Sequence, residues 1–112
     1  MAAFFRKHRT GLVTLVFTDL VNSTALMQQL GDQAGTTFLQ QRRQIVRQTL
    51  KEFSEGEEIE TAGDSFLLIF AKPSDAVRFA VLLQARFRAF RHDAGIGLHE
   101  RVGIHLGEVV IA

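Results

Sequence analysis

From Leu12 to Phe17 the chain runs "LVTLVF", apolar and rich in β-branched residues, and two positions later it meets a carboxylate, Asp19. Such a run predicts a buried strand. Asn22, Ser23 and Thr24 follow, all good helix N-caps, so a helix is expected next. It should break at "GDQAG", where Gly31 and Gly35 interrupt the pattern. A longer helix then resumes. Phe38, Leu39, Arg42, Ile45, Val46, Thr49, Leu50 and Phe53 recur at helical spacing, with polar residues on the outer face. "SEGEE" reads as a turn, Ile59 to Ala62 as a strand, "GDS" as a tight turn and Phe66 to Phe70 as a second strand, together a hairpin. "KPSD" opens the next helix with Ser74 as its N-cap. Ala76, Ala80, Leu83, Phe87 and Phe90 form its buried stripe, and Arg78, Arg86, Arg88 and Arg91 its wet side. "HDAGIGLHE" reads as a loop, and Arg101 to Ala112 as a final strand.

The order is therefore β-α-β-β-α-β. It predicts an α+β domain of the ferredoxin-like kind, an antiparallel sheet with helices on one face. The hairpin separates it from a doubly wound fold, where helices intervene between strands.

At 112 residues the chain holds one domain. A net charge of +1 argues against strong attraction to nucleic acid or an anionic membrane. The absence of cysteine excludes disulfides and thiolate metal sites and fits a reducing compartment, so the cytoplasm is the expected location. No apolar run reaches membrane-spanning length. The opening "MAAFFRKHR" lacks the apolar core and cleavage site of a secretion signal, and residues 1–11 are expected to be a flexible leader before a domain at 12–112.

A carboxylate at the end of a buried strand is costly without a positive partner. The hairpin turn carries a second acid, Asp64. In the ferredoxin-like order the first strand lies beside the hairpin, so Asp19 and Asp64 are expected to meet at one sheet edge. A divalent cation would relieve their repulsion, since Mg²⁺ favours one or two carboxylates with phosphate oxygens and water. The helix starting after "LVNST" would point free N–H groups at the same place, an arrangement that favours phosphate. The alternative is that Asp19 caps the following helix and Asp64 holds a turn. Spacing alone leaves both open.

"VFTDLVNST", "ETAGDSFLLIF" and "RVGIHLGEVVIA", in this order and separation, resemble the class III adenylate/guanylate cyclase catalytic domain from Leu12 onward. The resemblance implies that Asp19 and Asp64 are metal ligands, that the backbone carbonyl of Leu20 helps hold a second ion, and that Asn22, Ser23 and Thr24 form a phosphate-binding loop. It implies two Mg²⁺ or Mn²⁺ ions per active site, a purine nucleoside triphosphate (GTP or ATP) as substrate, and a 3′,5′-cyclic nucleotide and pyrophosphate as products. Glycine is common in the family where Asn22 stands; asparagine also tolerates unusual backbone angles. His105 is set aside as a catalytic base, because a lone histidine on a strand is more often structural and the family does not use it so.

Glu60 stands where adenylate cyclases carry lysine and guanylate cyclases glutamate. Its carboxylate can accept from N1–H and the 2-amino group of guanine, whereas adenine would present it with another acceptor. The alternative is that Glu60 is one of a solvated acidic group with Glu55, Glu57 and Glu58.

The family domain continues beyond "GIHLGEVVIA" with a second base-selecting residue, an asparagine that orients ribose and an arginine that stabilises the transition state. The catalytic set is therefore incomplete in these 112 residues, which are expected to be inactive by themselves; the expected partner is a second copy in a homodimer or a complete cyclase domain in a heterodimer. A competing reading is a non-catalytic cyclase-like module for dimerisation or nucleotide sensing. A phosphoacceptor receiver domain is excluded by the hairpin and by the lack of an acidic pair after the first strand.

Overall fold

The computed structural model describes residues 11–108, arranged as β1 (Leu12–Leu20), α1 (Ser23–Leu30), α2 (Asp32–Leu50), β2 (Gly56–Ala62), β3 (Ser65–Phe70), α3 (Pro73–Ala94) and β4 (Glu100–Glu108). The four strands form one sheet in the order β2-β3-β1-β4, and every neighbouring pair is antiparallel. This is the expected ferredoxin-like order. Residues 1–10 of the leader expected at 1–11, and the last four residues of the final strand, including Val109, Val110 and Ile111, lie outside the described residues.

Side chains alternate across a strand, and the two faces of this sheet differ in what covers them. Val16 and Leu20 of β1, with Phe66, Leu68 and Phe70 of β3, are buried in one core with Leu26, Phe38, Val46, Leu50, Ala76, Phe79, Leu83 and Phe87 from the helices. All three described helices thus pack on one face. The opposite face carries a small cluster of Val13 and Ile69, flanked by Leu15, Ile59 and Ala71. Further along β1 on that face, Phe17 is 43% exposed.

Several local expectations change. The helical run breaks at Gly31 alone, where φ is 81°. Gly35 lies inside α2, because its missing side chain lets α1 approach: a Cβ there would sit 3.1 Å from Met27 Sδ. α3 begins at Pro73 with Lys72 as its N-cap, so Ser74 is in the first turn and not the cap. Proline suits that first position because its φ is already helical and the N–H it lacks would have gone unpaired. Phe79 joins the buried stripe of α3, and Ala80 is only half buried. Two of the arginines assigned to the wet side of α3 turn inward. Arg86 donates to Thr49 Oγ1 at 2.9 Å and pairs with Glu52 on the turn after α2. Arg91 donates to the Leu98 carbonyl at 2.8 Å. Long side chains can bury their stems while bonding polar atoms at their ends, so helical position alone did not assign them to solvent. The expected loop at His92–Glu100 is shorter, since α3 runs through Ala94 and Glu100 opens β4.

Candidate active site

β1 runs through Asp19, and its last residues divide between the two faces. Thr18, on the helix side, donates to Glu100 Oε2 at 2.5 Å. Asp19, on the other side, accepts two bonds from Arg101: Nε to Oδ1 at 3.0 Å and the terminal Nη2 to Oδ2 at 3.0 Å. The Asp19 side chain is 17% exposed and that of Arg101 is 68% exposed. The carboxylate holds the Arg101 guanidinium above its usual range, by hydrogen bonding first and by charge second. The cationic partner that a carboxylate at this strand end requires is therefore present in the chain. The sequence reading did not name it. The signal was the alternation on β4, which puts Arg101 on the face of Gly103 and His105. The β1–β4 register then sets Arg101 opposite Asp19.

The register sets the two acids at the same end of the sheet; Asp64 lines a cavity on the helix side, and Asp19 lies on the other face. Asp19 lies opposite Ser65, the residue after Asp64. The hairpin turn is Gly63-Asp64, with Gly63 at φ 59°, a conformation glycine adopts without steric cost. Just beyond Asp19 the chain passes through the peptide linking Leu20 to Val21. Its N–H donates to the His99 carbonyl at 2.9 Å, on the β4 side. The peptide is trans, so the Leu20 carbonyl points the opposite way, toward the β3 side and the hairpin.

Asn22 takes the left-handed conformation (φ 55°, ψ 41°) at the N-cap of α1, with no side-chain cap bond. It is the only non-glycine residue with positive φ among those described. Asparagine is among the few residues that occupy this region readily, so the turn from β1 into α1 is tight without glycine. The turn leaves Ser23 and Thr24 at the helix start, where they line a cavity of about 570 Å³ shared with Asp32, Arg43, Gly63 and Asp64. Arg43 donates to the Gly63 carbonyl at 3.4 Å. It is a cation at this site that the sequence reading missed, since on α2 it looked like one more outer-face arginine.

Glu60 reaches the sheet face opposite the helices through a β-bulge. Pairing passes from Glu58 opposite Leu68 to Glu60 opposite Leu67, with Ile59 the extra residue. Glu58 stays on the helix side, where Arg47 of α2 donates to both its oxygens at 3.0 and 3.2 Å. Glu60 lines a cleft of about 170 Å³ with Phe17, Ala62, Ser65 and Leu67. The four acidic residues Glu55, Glu57, Glu58 and Glu60 are thus not one uniform solvated group.

Among the described residues no cluster of three or more His, Cys, Asp or Glu side chains could hold a metal ion. A cation at this end of the sheet would draw on two carboxylates and a carbonyl. All are hard oxygen donors, and the set suits Mg²⁺ or Mn²⁺, which retains water and takes phosphate oxygens as further ligands. The residues fit that kind of ion and no self-contained protein cage.

The adenylate and guanylate cyclase catalytic domain family matches residues 5–112, and this chain belongs to that family. A receptor-type adenylate cyclase of Trypanosoma brucei brucei, GRESAG 4.3, is 38% identical over 81 residues, covering 72% of this chain and 6% of the relative. The chain therefore spans a small part of that protein's length. Among solved structures, an adenylate cyclase from Trypanosoma brucei in its monomeric state aligns with a TM-score of 0.75 at 27% identity, covering 95% of this chain and 61% of the other. The guanylate cyclase domain of RhGC from Catenaria anguillulae, solved with GTP, has the same fold, with a TM-score of 0.78 at 22% identity over 90% of this chain and 59% of that one. No helix among the described residues is long and apolar enough to cross a membrane.

Proposed function

We propose that this chain contributes the metal- and phosphate-binding side of a nucleotide cyclase active site. The site would convert a purine nucleoside triphosphate into its 3′,5′-cyclic monophosphate and pyrophosphate, within a dimer and in cyclic-nucleotide signalling. The observation that supports this most is the register that sets Asp19 one step from the Gly63-Asp64 turn, beside the start of α1. In the reaction the ribose 3′-oxygen attacks the α-phosphorus and loses its proton. The bond from that phosphorus to the bridging oxygen breaks, and pyrophosphate leaves.

Asp19, Asp64 and the Leu20 carbonyl would hold two divalent ions, which supply charge neutralisation and help deprotonate the attacking hydroxyl. Asn22, Ser23 and Thr24 would receive phosphate oxygens at the N-terminus of α1, where unpaired N–H groups favour negative charge. Glu60, on the face away from the helices, would meet the base. Its carboxylate argues for guanine, whereas the relatives named by their activity are adenylate cyclases. The ribose-orienting asparagine and the transition-state arginine would come from a partner. Removing one preorganised donor commonly costs about 10²- to 10³-fold in rate, so residues 1–112 alone should show little turnover.

A second reading, a non-catalytic module for dimerisation or nucleotide sensing, draws on the Asp19–Arg101 pair, which satisfies the carboxylate without a metal. One assay separates the two. Purified residues 1–112 are tested with Mn²⁺ and GTP or ATP, alone and mixed with a complete cyclase domain whose metal aspartates are mutated. Turnover only in the mixture, lost with Asp19→Ala, supports the catalytic reading. No turnover in the mixture favours the module. Robust turnover by the short chain alone would place the catalytic residues elsewhere.

A further inference from the structure

The end of β1 is tied down at two points that bracket the candidate ligands. On the helix face, Thr18 donates to Glu100 Oε2 at 2.5 Å. Three residues on, the Val21 N–H donates to the His99 carbonyl at 2.9 Å. Asp19 and Leu20 lie between. The entry to β4, which receives both bonds, is itself held from the helices. The Leu98 and Glu100 carbonyls accept from Arg91 and Gln84 of α3, each at 2.8 Å. The Glu100 side chain is 0% exposed and takes two bonds from Arg42 of α2. A buried ion pair is a poor way to stabilise a core, because well-packed apolar residues of similar volume commonly do as well or better. What apolar side chains cannot do is accept a bond from Thr18.

We propose that Glu100 is a positioning residue for the candidate metal site, acting through Thr18 on the Asp19 carboxylate and the Leu20 carbonyl. This rests on the reading of Asp19 and Leu20 as metal ligands. Successive side chains on a strand point to opposite faces. Fixing the Thr18 hydroxyl on the helix face therefore fixes the roll of β1, and with it the direction in which Asp19 leaves the other face. β1 ends at Leu20, so few further ladder bonds restrain that roll. Arg42 keeps the Glu100 carboxylate aimed at Thr18, and a charged acceptor makes the bond shorter and stronger than one between neutral groups. Arg42 and Glu100 are buried on the helix face, so neither is itself a ligand. Their part is to hand the rigidity of α2 and α3 to the strand end that carries the ligands.

The test uses metal alone, with no nucleotide and no turnover. Mn²⁺ affinity is measured by electron paramagnetic resonance on the wild-type chain and on Thr18→Val, Thr18→Ser, Arg42→Met/Glu100→Leu, Asp19→Asn, Asp64→Asn and Gly56→Ala, each at a temperature where urea unfolding shows it folded. Thr18→Val keeps the shape of the side chain and removes its hydroxyl. It should weaken Mn²⁺ binding about tenfold, the low end of what losing a group behind a metal ligand costs. The double variant should do the same, and Thr18→Ser, which restores the hydroxyl, should bind as wild type does. Gly56→Ala disturbs the core away from β4 and should leave the affinity unchanged, as a purely structural loss would. Wild-type affinity in Thr18→Val and in the double variant, with Asp19→Asn still weakening binding, overturns the proposal and leaves the metal reading standing. Equal weakening in Gly56→Ala overturns it too, since lost stability would then explain every result. If neither Asp19→Asn nor Asp64→Asn alters Mn²⁺ binding, the metal reading falls, and this proposal with it.

Discussion

Arg42 on α2 and Glu100 at the start of β4 meet inside the protein, with side chains 1% and 0% exposed. The guanidinium donates twice, Nε to Oε1 at 2.8 Å and Nη2 to Oε2 at 2.6 Å, and it also lies 5.5 Å from the centre of the Phe66 ring. The bidentate geometry and the added Thr18 bond satisfy the carboxylate fully. They join the helix layer to the strand that carries Arg101.

Breaking this pair from one side should be costly. Arg42→Met or Glu100→Leu alone leaves a charge buried without its partner, and each should destabilise the chain by about 3–5 kcal/mol. The double substitution should cost much less than the sum. Urea unfolding of the three variants measures the difference, and additive losses would show that the charges do not depend on each other.

The pair between Arg47 and Glu58 should show itself in acid. Hydrogen bonds from Arg47 hold the Glu58 carboxyl below the ordinary glutamate range; burial opposes them, and Thr61 and the Arg47 charge add to them. A depressed carboxyl stabilises the fold above its unfolded value, near 4.5. That contribution is lost as pH falls through the lower folded value. The stability gap between wild type and Glu58→Gln should therefore be constant above about pH 5.5 and shrink below pH 4.5. Both side chains are partly exposed, so added salt should narrow the gap at every pH. Unfolding free energies across pH 3 to 7 at two salt concentrations test this.

Two glycines should respond oppositely to alanine. At Gly56 a Cβ would meet Phe70 Cε1 at 2.7 Å and Leu50 Cδ1 at 3.0 Å, and the Phe70 ring is itself packed against Phe53 and Phe79. Gly56→Ala should destabilise by about 1–3 kcal/mol through overpacking. At Gly35 the Cβ meets only the flexible Met27 thioether at 3.1 Å, which can shift. Gly35→Ala should therefore keep most of the roughly 0.5–1 kcal/mol by which alanine exceeds glycine in a helix. Thermal melts of both variants decide it.

If Glu60 reads the base, Glu60→Lys should move nucleotide preference from GTP toward ATP by about tenfold or more, since an unpaired desolvated acceptor costs about 1–3 kcal/mol. Competition binding of the two nucleotides in the presence of Mg²⁺ measures the ratio. An unchanged ratio removes Glu60 as the selector.

The strands and helices were legible because each carries its own period. β1 and β3 are dense in apolar residues, and α2 and α3 repeat their apolar positions at helical spacing. The resemblance likewise pointed to Asp19, Asp64 and Glu60 from local motifs. What stayed hidden was pairing between distant residues. Arg42 sat correctly on the inner face of α2, but its partner Glu100 lay in a stretch that read as loop. Arg101 is 82 positions from Asp19, and only the β1–β4 register joins them. Arg86 and Arg91 looked solvated because nothing local says that a guanidinium will reach Thr49 or the Leu98 carbonyl.

The extra residue at Ile59 has a consequence for comparing this chain with its relatives. Glu58 and Glu60 have the same parity, and in an unbroken strand they would share a face. The bulge sends one to Arg47 and the other to the Phe17 side. A homologue one residue shorter at this point would still send both acids the same two ways, since Glu60 would follow Glu58 directly and alternation would do the rest. A gap at position 59 in an alignment is thus silent for the chemistry of β2, and what it removes is an apolar contact with Val13 and Ile69. The side chain presented to the Phe17 face is then free to vary by substitution at position 60, independently of how many residues the strand uses to reach it.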